Sequence, residues 1–108
     1  MSIEQEKVVD IIGDDEKTNE VVLFVTDHLP WGSDASEHLH LLQNKLNSYL
    51  AFIESGELLK AHPSADKKRV VIEIRAKYKP DATANMFYDK AIKKAEEAGI
   101  GLRYVVTG

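Results

Sequence analysis

The chain has 108 residues, 44% hydrophobic and 30% charged, with a formal net charge of −4. That length holds one core, so residues 1–108 are expected to form a single soluble α/β domain that folds without staples. The absence of cysteine excludes disulfides, thiolate nucleophiles, cysteine zinc sites and iron–sulfur clusters; no apolar run approaches the ~18 residues of a membrane span, and the start MSIEQE lacks a signal peptide's basic and apolar stretches, so a cytoplasmic location is expected.

Lys7–Ile12 (KVVDII) is a short β-branched run that Gly13-Asp14-Asp15 should stop. Glu20–Thr26 (EVVLFVT) is a second, and about seven turn-rich residues between them predict an antiparallel hairpin. The Gly-Asp-Asp-Glu tip lacks the spaced oxygen ligands and closing glutamate of a calcium loop. The breaker-rich loop Asp27-His28-Leu29-Pro30-Trp31-Gly32-Ser33 follows and carries the only tryptophan. Asp34 is placed as an N-cap, with Glu37 reaching back to complete a capping box. Leu39, Leu42, Leu46, Leu50 and Ile53 then recur at helical spacing as far as Ser55, with Gly56 as the stop. Leu41, Lys45 and Phe52 widen that stripe.

Glu57–Lys68 reads as a polar connection whose Leu58 and Leu59 tuck onto the helix end. Arg69–Tyr78 alternates cleanly: Val70, Ile72, Ile74, Ala76 and Tyr78 face one way, Arg69, Glu73, Arg75 and Lys77 the other. Asp81 caps a second helix whose apolar line runs Ala84, Phe87, Tyr88, Ala91, Ile92, Ala95 and Ala98, ended by Gly99. The last run alternates with Ile100, Leu102, Tyr104 and Val106 inward. The order β-β-α-β-α-β, with one-sided strands and a right-handed crossover, predicts an α+β two-layer sandwich: a four-stranded mixed sheet with two helices on one face.

Charge is unevenly placed. Residues 1–54 hold eleven acids against Lys7, Lys17 and Lys45, and residues 55–108 hold eleven bases against seven acids. Either the halves pack together and complement each other, or the basic half meets an acidic partner or a second copy. Nucleic acid is excluded by the acidic total and by a basic half without interleaved aromatics.

The richest cluster is Asp27, His28, Trp31, Asp34 and His38. Asp34 and His38, four apart on a helix, could pair, and Asp27 or His28 would complete a facial metal set. The competing reading is structural: Asp27 caps loop amides, Trp31 staples the helix start and Asp34 caps it. His38 and His40, two apart, point away from each other, and His62 is expected in solvent. No serine sits on a strand-to-helix elbow and no glycine-rich phosphate loop precedes a helix. No catalytic residue, metal or cofactor is therefore assigned.

The second candidate surface is the sheet face away from the helices, with Arg75, Lys77 and Arg103 in the later strands. In the hairpin both the odd set (Val21, Leu23, Val25) and the even set (Val22, Phe24) are apolar, so one of them must face outward. If Val22 and Phe24 do, an apolar patch adjoins a basic one, which suggests an interface.

DHLPW at Asp27–Trp31, LLQNKLNSYLAFIESGE at Leu41–Glu57 and KPDA at Lys79–Ala82 together resemble a family of short bacterial proteins built on a domain of unknown function. The resemblance spans nearly the whole chain. It implies a bacterial, cytosolic, stand-alone α/β protein and brings no activity, cofactor or catalytic residue. The leading expectation is a non-enzymatic interaction protein with an unknown protein partner or itself as a homodimer. Its rival is a ligand- or metal-binding protein, or a hydrolase, at Asp27–His38. A third reading is an acidic inhibitor or immunity-type protein acting through Asp14, Asp15 and Glu16.

Overall fold

Two β-branched runs and two amphipathic stripes fold as a mixed sheet carrying its helices on one side. The computed structural model describes residues 11–32 and 35–107. In chain order these form β1 (Ile11–Asp15), β2 (Glu20–Asp27), α1 (Ala35–Glu54), α2 (Glu57–Ala61), a 3-10 turn (Pro63–Lys67), β3 (Arg69–Ala76), α3 (Ala82–Glu97) and β4 (Gly101–Val106). The sheet order is β1-β2-β3-β4, with β1 antiparallel to β2 and β2, β3 and β4 mutually parallel. The expected α+β sandwich is therefore present, built as a hairpin followed by two parallel crossovers.

Register explains which hairpin set is buried. Leu23 lies opposite Ile72 and Val25 opposite Ile74, so the odd residues of β2 and the even residues of β3 make one apolar floor. Leu42, Leu46 and Tyr49 of α1, Leu58 of α2, and Tyr88 and Ala95 of α3 pack on it. The even set, Val22 and Phe24, accordingly points to the other face. The Tyr49 hydroxyl donates to the Phe24 carbonyl oxygen at 2.8 Å and fixes α1 to β2.

Helix ends obey local chemistry. The Asp81 carboxylate accepts from the Ala84 amide at 2.8 Å, the expected N-cap of α3. At the other end Ile100 N–H bonds the Ala95 carbonyl and Gly99 N–H bonds that of Glu96. This paired closure needs a left-handed residue, and Gly99 supplies it at φ 77°. The proposed capping residue of α1, Asp34, lies outside the described residues, as do Lys7–Asp10 of the first predicted strand.

Several expectations are corrected. Gly13 does not stop β1, which continues to Asp15. A Cβ at Gly13 would sit 3.2 Å from the Phe24 ring, so this glycine is the seat of an aromatic side chain within the strand. The connection after α1 is not irregular: it forms α2 and the 3-10 turn, burying Leu58 and Ala65 but leaving Leu59 exposed. Strand β3 ends at Ala76, so Tyr78 and, beyond the core at the end of β4, Val106 are exposed rather than inward. His62 is not merely solvated. Its Nε2 is 3.1 Å from the Asp14 carboxylate, which also takes Lys68 at 3.2 Å.

Candidate functional site

Asp27 is the last residue of β2, where the strand hands over to the DHLPW loop, and His38 is in the first turn of α1. The parallel crossover brings them together. The His38 Nε2 lies 2.7 and 2.6 Å from the two carboxylate oxygens of Asp27. The other ring nitrogen, Nδ1, donates to the Pro30 carbonyl oxygen at 3.2 Å. Asp27 also accepts from the Leu29 amide at 3.2 Å. Trp31 lies flat on the imidazole, with ring centroids 3.5 Å apart and planes at 14°. Asp27 and His38 are 1% and 2% exposed.

Both ring nitrogens face oxygen atoms, whereas a neutral imidazole has a single N–H. An aspartate–histidine pair is the orienting half of a nucleophilic triad, which then needs the second nitrogen free to take a proton from a nucleophile. Here that nitrogen is occupied by a backbone carbonyl, and both groups are sealed under Trp31 and the loop. The arrangement acts as a clamp: it ties the end of β2, the loop backbone and the start of α1 at one point.

Of the five residues proposed for this cluster, the fold gathers Asp27, Trp31 and His38. His28 is exposed, and Asp34 lies outside the described residues. Among the described residues no group of three or more His, Cys, Asp or Glu could hold a metal ion. No described helix is long and apolar enough to cross a membrane.

The model of a family of unknown function, DUF6572, matches residues 1–108. The chain belongs to that family. No curated protein and no solved structure matches it.

The helix-free sheet face carries the other predicted set. Val22 is buried there beside a half-buried Phe24, whose ring lies 4.6 Å under the Arg75 guanidinium. Glu73, opposite Phe24 in the register, accepts from Arg75 at 2.9 Å and from Arg103 at 2.7 Å. Burial works to raise the Glu73 pKa, but the two arginine hydrogen bonds outweigh it and hold the carboxyl below its ordinary value. Glu20 extends the array toward Arg103 and Arg69, at 3.5 and 3.9 Å. Lys77, past the strand end, stands apart over the Tyr78 ring. Between this face and the acidic hairpin tip, Asp14, Asp15 and Glu16, lies an open cleft of about 680 Å³.

One feature escaped the sequence reading. Tyr88 is buried and its hydroxyl has no hydrogen-bond partner among the described residues. Its pKa is pushed upward, first by burial and then by the negative charge of Asp27 and by Tyr104, on whose ring it stacks at 4.3 Å. Nothing in a core-facing helical position distinguishes such a tyrosine from a satisfied one. Glu73 is placed with Arg75 by strand alternation, because residues two apart in a strand share a face; its second partner, Arg103, comes from the neighbouring strand.

Proposed function

We propose that this protein is a non-catalytic module that associates with a second copy of itself through the helix-free face of its sheet. The observation that carries the reading is one continuous surface with both halves of a charge match. The half-buried Phe24, with the buried Val22 beside it, is roofed by Arg75, and Arg103 lines the same cleft, while Lys77 stands apart past the strand end. Across the cleft stand Asp15 and Glu16 of the hairpin tip, beside an Asp14 already paired with His62 and Lys68. A two-fold pairing sets the tip of each copy against the arginines of the other, which is the self-complementarity a closed dimer needs. The clamp geometry of Asp27 and His38 supports the non-catalytic half of the reading, since it leaves no ring nitrogen for proton transfer.

Sedimentation velocity across a concentration series, at low and high salt, tests this. The expected result is a monomer–dimer equilibrium weakened by salt and abolished by Phe24→Asp or Arg103→Glu, with circular dichroism melts confirming that both variants fold. A monomer at every concentration, or a dimer indifferent to both substitutions, overturns the proposal.

A further inference from the structure

The two long helices lie side by side on the sheet without closing on each other. Four residues of α1 and four of α3, each set at i, i+3, i+4 and i+7, face one another across a groove of about 220 Å³. On α1 these are Gln43, Leu46, Asn47 and Leu50; on α3 they are Phe87, Lys90, Ala91 and Lys94. Ile72 of β3 and Leu102 of β4 lie at its base with Ala95. The groove is open because α3 places alanine at 91 and 95, where a helix packed to fill the space would carry a larger apolar side chain.

The groove is chemically two-sided. Its base and the Leu46, Leu50, Phe87 and Ala91 parts of its walls are apolar, Gln43 and Asn47 add two amides on the α1 side, and Lys90 and Lys94, one helical turn apart, stand together on the α3 rim. Neither lysine makes an ion pair or hydrogen bond among the described residues, although the protein as a whole is acidic. Two adjacent uncompensated cations beside an apolar slot are complementary to a ligand with one anionic head and a short apolar tail. The volume gives the scale of the tail: it equals the liquid share of about seven waters, which suits a short to medium alkyl chain.

We infer that the α1–α3 groove binds a medium-chain aliphatic carboxylate, with its tail along Leu46, Leu50, Phe87 and Ala91 and its carboxylate between Lys90 and Lys94. This site is on the opposite side of the sheet from the proposed self-association face, so either reading can fail without the other.

The test is a titration of the ¹⁵N-labelled protein with octanoate, octanol and acetate, followed by amide shifts. Octanoate is expected to saturate with a Kd on the order of a millimolar or tighter, as suits about ten heavy atoms. The shifts should be confined to α1, α3 and the β3–β4 base. Octanol should bind about tenfold more weakly, the loss of a charge-assisted contact, and acetate should not saturate. Lys90→Gln/Lys94→Gln, a surface change that leaves packing alone, should bring octanoate down to the octanol level. Ala91→Phe should plug the groove and abolish both. No saturable octanoate binding, shifts mapping elsewhere, equal affinity for octanol, or unchanged binding in the lysine double variant would each overturn the inference. So would saturation by an acidic amphipathic peptide and not by octanoate, because it would make the groove a protein-docking surface.

Discussion

The Asp27–His38 clamp can be weighed by a double-mutant cycle. His38→Leu strands a carboxylate that is 1% exposed with the Leu29 amide as its remaining hydrogen-bond partner among the described residues, and it also removes the Pro30 contact and the aromatic ring on which Trp31 stacks. Breaking one side of a buried pair costs about 3–5 kcal/mol. Asp27→Leu should cost a similar amount, because it leaves the Nε2 side of the ring unpaired. The double variant Asp27→Leu/His38→Leu replaces both partners with apolar groups, and such replacements are often near neutral. It should therefore lose less than the two single losses together, with a coupling of about 2–3 kcal/mol. Unfolding entropy of about 2.1 cal/mol/K per residue over 108 residues gives ~0.23 kcal/mol/K. A 3 kcal/mol loss then lowers Tm by about 13 °C. Urea titrations of the four proteins measure the cycle and calorimetry checks the Tm. Single variants within about 0.5 kcal/mol of the parent, or strict additivity, would refute the clamp and imply that the pair is solvated in solution.

Two further outcomes follow from the polar groups around the core. Tyr88→Phe removes a buried hydroxyl that has no partner among the described residues while keeping the ring against Tyr104, so it should stabilise the protein by about 1 kcal/mol, about 4 °C in Tm; a fall in Tm would place a hydrogen-bond partner on that hydroxyl instead. Glu73 and Asp14 both have pKa values lowered by folding, Glu73 by arginine hydrogen bonds that overcome its burial and Asp14 first by His62 and then by Lys68. Their contribution is therefore complete above their ordinary values of 4.5 and 3.8 and is lost as pH falls through the lower folded values. Urea midpoints should drop from pH 5 downward, and Glu73→Gln should flatten part of that slope; an unchanged slope would show that the Arg75–Glu73–Arg103 array adds nothing.

How far the sequence discloses this molecule depends on the range over which each signal acts. Helix α1 and strand β3 are legible because their periodicity is local: Leu42, Leu46 and Tyr49 repeat at helical spacing, and Ile72 and Ile74 alternate. Gly13 misleads because a glycine among aspartates carries turn chemistry in its own neighbourhood, whereas its strand role depends on the Phe24 ring from across the hairpin. The hairpin's buried face was undecidable locally, since Val21, Leu23 and Val25 are as apolar as Val22 and Phe24. Only the parallel register with β3, set by residues some fifty positions later, assigns it. The Asp27–His38 contact is legible as a cluster but not as a clamp. What separates a catalytic pair from a structural one here is the Pro30 carbonyl on the second ring nitrogen, a backbone atom that no residue type announces.

The split charge map has the same character. The acidic first half and the basic second half do not meet as two blocks, because the parallel crossover interleaves them: β2 pairs with β3, placing Glu20 against Arg69, and the hairpin's Asp14 reaches His62 and Lys68. Much of the asymmetry is consumed inside the monomer by these cross-half pairs, as the complementary-packing reading requires. What is left over is informative because of where it lies. On the sheet face the residue is an acidic tip beside arginines already engaged with Glu73 and Glu20, a surface balanced within itself and therefore suited to its own copy. On the helix face it is Lys90 and Lys94, which form no ion pair with any described residue and have a largely apolar groove at their side. The two surfaces therefore differ in kind: the sheet face matches most of its charge within itself, whereas the rim of the groove carries two lysines that no described residue pairs.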